Sequence, residues 1–147
     1  TPEKQVIRQT ERDSAVWTDD SVEVFVNTDG LGYPYYHLVA NAAGVRYDAA
    51  SSAEHPMDAS WNGEWQVRTK RGSDRWIAEL RVPFATLGIG EAPAGRMWLC
   101  NFARNDHAAQ IRDAYGDKWW DISSYGYGAG GGLHVPAKFR PVVFACD

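Results

Sequence analysis

Cysteine and methionine are scarce in this chain, with two of each in 147 residues. Cys100 and Cys146 are too few for a disulfide-built scaffold, and their spacing carries no metal signature. They form either one disulfide in an oxidising compartment or one buried and one free thiol. Long apolar runs are also missing. No stretch approaches the ~20 residues that span a bilayer as a helix, so no membrane span is expected. Clusters of basic residues are absent, and the net charge is -4. That excludes a nucleic-acid partner, which would need grouped Lys and Arg to neutralise phosphates. Helical periodicity is missing too: no ten-residue segment repeats its apolar residues at 3.6. There are no internal repeats. No leader is visible, because Thr1-Pro2-Glu3-Lys4 opens directly into polar sequence. The expectation is a mature domain separated from its leader.

What is abundant is aromatic and turn-forming. The chain holds 7 Trp and 7 Tyr, and 14 Gly and 7 Pro punctuate it. Its length suits a single domain over residues 1–147, large enough to bury a core without staples. A core uses part of the aromatic content. The rest, in a polar and acidic chain, suits a surface that stacks on flat ligands such as sugars, whose C–H faces are apolar.

Short strands are predicted between turn signals. Residues 21–27 alternate strictly, with Val22, Val24 and Val26 on one face and Glu23 and Phe25 on the other. Asn27-Thr28-Asp29-Gly30 follows as a turn. Further strands are predicted at 35–41, 45–48, 65–70, 75–82, 97–105 and 139–145, with an earlier one at 5–8. Residues 49–60 read as a loop, and 84–87 as a short helical turn closed by Gly88. Residues 106–132 read as a long aromatic loop carrying Tyr115, Trp119, Trp120, Tyr125 and Tyr127, a candidate binding loop. The fold class is therefore all-β, an antiparallel β-sandwich with few or no helices. Trp61, Trp65, Trp76 and Trp98 sit in alternating or turn-flanking positions that suit packing.

Several motifs follow one another in an order that resembles the family 9 carbohydrate-binding modules, within the DOMON-like β-sandwich group. Arg12-Asp13-Ser14, Trp17 and Asp19-Asp20-Ser21-Val22-Glu23 resemble the most distinctive of them. Tyr36 to Asn41 with Gly44-Val45-Arg46-Tyr47-Asp48 resembles the next hairpin. Trp61-Asn62-Gly63-Glu64-Trp65, the Trp76 to Leu87 stretch, Trp98 to Asn105, and Gly132-Leu133-His134-Val135-Pro136 with Phe139 complete the series. The family normally carries further strands before the first motif, so an N-terminally incomplete domain is expected.

The resemblance implies a non-catalytic module that clamps a terminal sugar of a plant-type polysaccharide, a β-glucan or xylan, between two tryptophans. Trp17 would be one face of the clamp and Trp120 the other, with Trp119 as its near alternative. Glu23, Arg46 and Asn105 would bind hydroxyls. The implied setting is a secreted or cell-surface protein, with the module tethered to other domains of a larger enzyme and itself monomeric. No cofactor is required, although family members often hold structural calcium. Asp13, Asp19, Asp20, Asp29 and Asp48 could supply hard oxygen ligands, but no run matches a calcium-binding loop.

Other classes are weaker. Carboxylates at Asp13, Asp19, Asp20, Glu23, Asp48, Asp58 and Asp106 show no spacing that selects a hydrolytic pair. A haem-binding DOMON-like domain could draw ligands from Met57, Met97, His37, His55, His107 and His134. A sandwich that serves only as a structural or interaction domain, with no ligand, is the third reading.

Overall fold

Period-two alternation decides how this chain layers. A computed structural model describes the backbone of residues 5–91, 94–112, 118–126 and 132–145, with side chains throughout except at 108–112 and 118–121. Among these residues the strands are β1 (Ser21–Asn27), β2 (Tyr35–Asn41), β3 (Arg46–Ser51), β4 (Gln66–Arg71), β5 (Trp76–Arg81), β6 (Met97–Arg112), β7 (Lys118–Ser124) and β8 (Arg140–Val143). The other regular pieces are short 3₁₀ turns at Val16–Thr18, Phe84–Leu87 and Pro136–Lys138. The all-β expectation is met.

Six strands form one sheet in the order β3-β2-β1-β6-β7, with β8 paired to β6 below β7. Strands β4 and β5 form a separate two-stranded sheet. All pairings are antiparallel, and the two sheets make a β-sandwich. One face of the large sheet carries Val22, Val24, Leu38 and Ala40, which pack with Trp65, Val67, Leu80 and Val82 of the β4–β5 side. The Val26, Trp98, Cys100 and Leu87 cluster extends that inter-sheet core. A cavity of about 650 Å³ lies between the sheets, bordered by Val22, Val24, Leu80, Val82, Phe102 and Tyr125.

The opposite face of the same strands is buried as well. Glu23 and Phe25 are 4% and 0% exposed, so Glu23 is not a solvent-facing strand residue. Here Phe25, Tyr35 and Phe139 cluster at one end, and Val16, Val39, Tyr47 and Ala49 at the other. Leu133 and the turn around Pro136 cover the first cluster. The segment around Val16 covers the second.

Three expectations change. Residues 5–8 are not a strand; their backbone is held by carboxylates instead. Val6 N donates to Asp20 at 3.0 Å, and Arg8 N and Gln9 N donate to Asp19 at 3.0 and 2.9 Å. Residues 49–51 continue β3 rather than opening a loop. Within the segment 106–132 expected as a loop, the described residues 106–112 and 118–124 are strand: β6 runs on to Arg112 and β7 pairs antiparallel with it, with a register shift between Asp106 and Ile111.

The Trp-Asn-Gly-Glu-Trp motif acts as a local knot. Buried Asp48 accepts hydrogen bonds from Gly63 N (2.6 Å), Trp65 Nε1 (3.1 Å) and Arg12 Nη2 (2.8 Å). Gly63 is required sterically, because a Cβ there would lie 2.5 Å from the Trp61 ring. Trp65 and Trp98 are buried, and Trp61 and Trp76 are half-buried, as their sequence contexts suggest.

Candidate functional site

The Glu23-bearing face opens into a pocket of about 230 Å³. Its walls include Trp17, Glu23, His37, Met57, Asn105 and His134, with Ile122 and Leu133 at the edge. Strand register explains the convergence. Ser21 pairs with Asn41 on one side and Asn105 on the other. Asn105 therefore lies beside the Ser21–Glu23 side of β1. Phe25 pairs with His37, which places the His37 ring on the same face as Glu23, one step along.

Trp17 sits on the 3₁₀ turn that precedes β1. Its ring meets Tyr47 edge-on at 4.8 Å between centroids and remains 37% exposed at the pocket mouth. An apolar ring half-open beside polar groups is the geometry that a sugar face can stack on. The turn is braced on both sides. The Trp17 carbonyl lies 3.0 Å from His107 Nε2, and the Asp20 carboxylate accepts from His107 N at 2.6 Å.

At the pocket floor a polar network is set in apolar surroundings. Glu23 Oε1 accepts from Asn105 Nδ2 at 2.6 Å, and Glu23 Oε2 lies 2.6 Å from His37 Nε2. Asn105 Nδ2 also donates to Ser21 Oγ at 3.0 Å. Burial alone would raise the Glu23 pKa. The hydrogen bonds and charge of His37, with the Asn105 amide, outweigh it and hold the carboxyl below its usual range. Glu23 is therefore an acceptor-only carboxylate at neutral pH.

His37 stacks flat on Phe25 at 4.2 Å, and its Nδ1 is buried without a hydrogen-bond partner among the described residues. His134 stands edge-on to both rings, at 4.8 Å from His37 and 5.0 Å from Phe25. Its Nδ1 lies 3.1 Å from the Tyr35 hydroxyl. Its inner edge is packed although the residue reaches solvent at the rim. Burial, followed by the nearby His37, pushes its pKa down to about 4, so the ring is neutral at physiological pH. Met57 enters the pocket with a left-handed backbone, φ 57°, supported by a bond from its N–H to Ser51 Oγ.

Of the residues expected to hold a ligand, Trp17, Glu23 and Asn105 are brought together. Arg46 is placed elsewhere. In β3 the side chain of Tyr47 takes the pocket face, so Arg46 points between the sheets, bonded to the Trp65 carbonyl and lying over the Trp65 ring at 5.4 Å. The backbone of Trp119 and Trp120 belongs to β7, which returns beside Asn105 through the Ile122 pairing; their side chains lie outside the described residues. So do Tyr115, Tyr127 and Cys146, and with Cys146 the disulfide question; Cys100 is a buried thiol.

Sequence reasoning did not find His37 or His134 as partners of Glu23. The signal was present in the alternation Tyr35, His37, Val39 on β2. Among the haem-ligand candidates, Met57, His37 and His134 meet at this pocket, while His55 and Met97 are exposed elsewhere. The calcium candidates Asp19, Asp20, Asp29 and Asp48 all accept hydrogen bonds from N–H donors.

The family model described as "Carbohydrate family 9 binding domain-like" matches residues 3–129. Two solved structures share the fold. One is a Bacteroides uniformis protein provisionally assigned to carbohydrate binding: TM-score 0.66, 16% identity, covering 95% of this chain and 67% of that one. The other is a family 9 carbohydrate-binding module from Caldicellulosiruptor kristjanssonii in complex with glucose: TM-score 0.62, 16% identity, covering 92% of this chain and 63% of that one. This chain thus spans about two thirds of the length of each. No curated protein sequence matches it.

Proposed function

Given that the chain belongs to the carbohydrate family 9 binding domain-like family, we propose that the Trp17–Glu23–Asn105 pocket holds a terminal sugar of a β-glucan or xylan. In this reading the domain is a non-catalytic accessory module of a secreted or surface enzyme. The observation that carries it is the convergence at one pocket of an exposed indole face with a buried carboxylate and amide.

The indole would receive the apolar face of the ring. Glu23 and Asn105 would take hydroxyls in directions fixed by their mutual bond and by His37. A second indole from β7, Trp120 or Trp119, would close the clamp from the side of Ile122. The size supports one sugar ring over a macrocycle: the cavity is about 230 Å³, below the ~300–1,000 Å³ of pockets that take drug-sized ligands. That favours the sugar over haem, despite the nearby Met57 and histidines. Burying on the order of 80 Å² of indole face at ~25 cal/mol per Å² contributes ~2 kcal/mol, a factor of about thirty in affinity.

Calorimetric titration with glucose, cellobiose and xylobiose tests this. The wild-type chain is expected to bind at least one of them at roughly micromolar to millimolar concentration. Trp17→Ala is expected to weaken that by about thirtyfold. Unchanged binding in Trp17→Ala and in Trp120→Ala would remove the clamp from consideration.

A further inference from the structure

We propose that Glu23, His37 and His134 form a binding site for a divalent late transition ion of the zinc type, distinct in its chemistry from sugar recognition in the same pocket. Among the described residues these three form a group able to converge on one ion: each offers a ligand atom, and all of these atoms lie within 4.8 Å of one another. Two imidazoles and one carboxylate suit zinc and its neighbours. Calcium and magnesium would ask for oxygen throughout.

Several further observations point to an ion. The three side chains come from β1, β2 and the segment before the Pro136 turn, so the grouping is made by the fold and not by local sequence. The His37 nitrogen that faces Glu23 is Nε2, at 2.6 Å from Glu23 Oε2, so the two ligand atoms already lie side by side. Tyr35 lies on the far nitrogen of His134, and Asn105 on the second oxygen of Glu23. Such outer contacts commonly fix the orientation of metal ligands. The pocket above the group leaves room for water or a substrate oxygen at a fourth position.

Ligand atoms around a tetrahedral zinc ion stand about 3.3 Å apart, given bond lengths near 2.0–2.1 Å. The Glu23–His37 pair at 2.6 Å must therefore open slightly, and His134 must swing inward from the rim. If the ion binds where the two now share a proton, that proton is released on binding.

The experiment is a calorimetric Zn²⁺ titration of the whole chain in a non-chelating buffer without sugar. One equivalent is expected to bind. His134→Ala, a rim substitution that leaves the core intact, is expected to weaken binding by more than about tenfold, since loss of an outer contact alone commonly costs 10–100-fold. Tyr35→Phe should weaken it less, and His55→Ala, on an exposed loop, not at all. Trp17→Ala should keep the zinc affinity while losing the sugar, so the two readings fail separately. No binding by the wild type, or equal binding by wild type and His134→Ala, overturns the proposal. Loss of binding in His55→Ala overturns it too.

Discussion

Asp48 is the position where a one-atom change should cost most. Its carboxylate is fully buried and accepts from Gly63 N, Trp65 Nε1 and Arg12 Nη2, the last reaching both oxygens at 2.8 and 3.1 Å. Asp48→Asn keeps the shape but converts one acceptor to a donor. If the amide nitrogen takes the Oδ2 position, it confronts both Gly63 N and Trp65 Nε1. If it takes Oδ1, it confronts the Arg12 guanidinium. The second arrangement is milder, because the Arg12 side chain is 36% exposed and can turn to water. Hydrogen bonds to a charged group contribute about 1.5–3 kcal/mol each, and breaking a buried pair costs about 3–5. Partial escape of Arg12 puts the expected loss near ~3 kcal/mol. At ~2–4 °C per kcal/mol for a domain of this size, the melting temperature should fall by roughly 6–12 °C. Urea unfolding followed by tryptophan fluorescence, with calorimetry beside it, reads both quantities. A loss under about 1 kcal/mol would show that the three donors find water in the folded state and that Asp48 is no hub.

Three further outcomes are expected. Gly63→Ala should destabilise the chain by more than about 1 kcal/mol, because the added methyl meets the Trp61 ring and Thr86; an unchanged urea midpoint would refute that crowding. The Cys100 thiol is buried and its pKa is pushed up from 9.0 to about 11. An unfolded chain would ionise this thiol first, so folding stability should decline as pH rises from about 9 towards 11, and Cys100→Ala should flatten that decline. Rapid iodoacetamide labelling of the Cys100 peptide in the folded chain at pH 8 would contradict its burial. Finally, millimolar Ca²⁺ should leave the melting temperature unchanged if Asp19, Asp20 and Asp48 stay with their N–H donors; a clear rise would show that an ion replaces some of them.

The sandwich was readable because β1, β2 and β6 alternate and are bounded by Asn, Asp and Gly. Length and partner were harder. β7 reads Lys-Trp-Trp-Asp-Ile-Ser-Ser, with two adjacent indoles and no alternation, so its pairing with β6 is set by tertiary contact and not by pattern. Val6-Ile7 imitates a strand because its apolar pair is real. The Val6 amide nonetheless finds Asp20, and the next amides, of Arg8 and Gln9, find Asp19, a capture invisible in a local window. The same limit applied to the site. Trp17 and Glu23 were close in sequence, and Asn105 joined them through the β1–β6 ladder. Arg46 was carried in by motif likeness, but strand parity gave the pocket face to its neighbour Tyr47. His37 and His134 join Glu23 only when β2 pairs beside β1 and the segment before the Pro136 turn lies over their shared face.

The turn bearing Trp17 is followed at once by Asp19 and Asp20. Asp19 fastens the amides of Arg8 and Gln9 and the side chain of Asn41; Asp20 reaches back to Val6 and across to His107. The indole is therefore mounted on a frame already tightened from both directions before any ligand arrives. In thermodynamic terms the ordering entropy of that loop is spent in folding, not in binding. Loosening the frame from a distance, for instance with Asn41→Ala, should surface as a less favourable binding entropy while every ligand-facing atom stays the same. Affinity in such a module is tunable from residues that never touch the ligand.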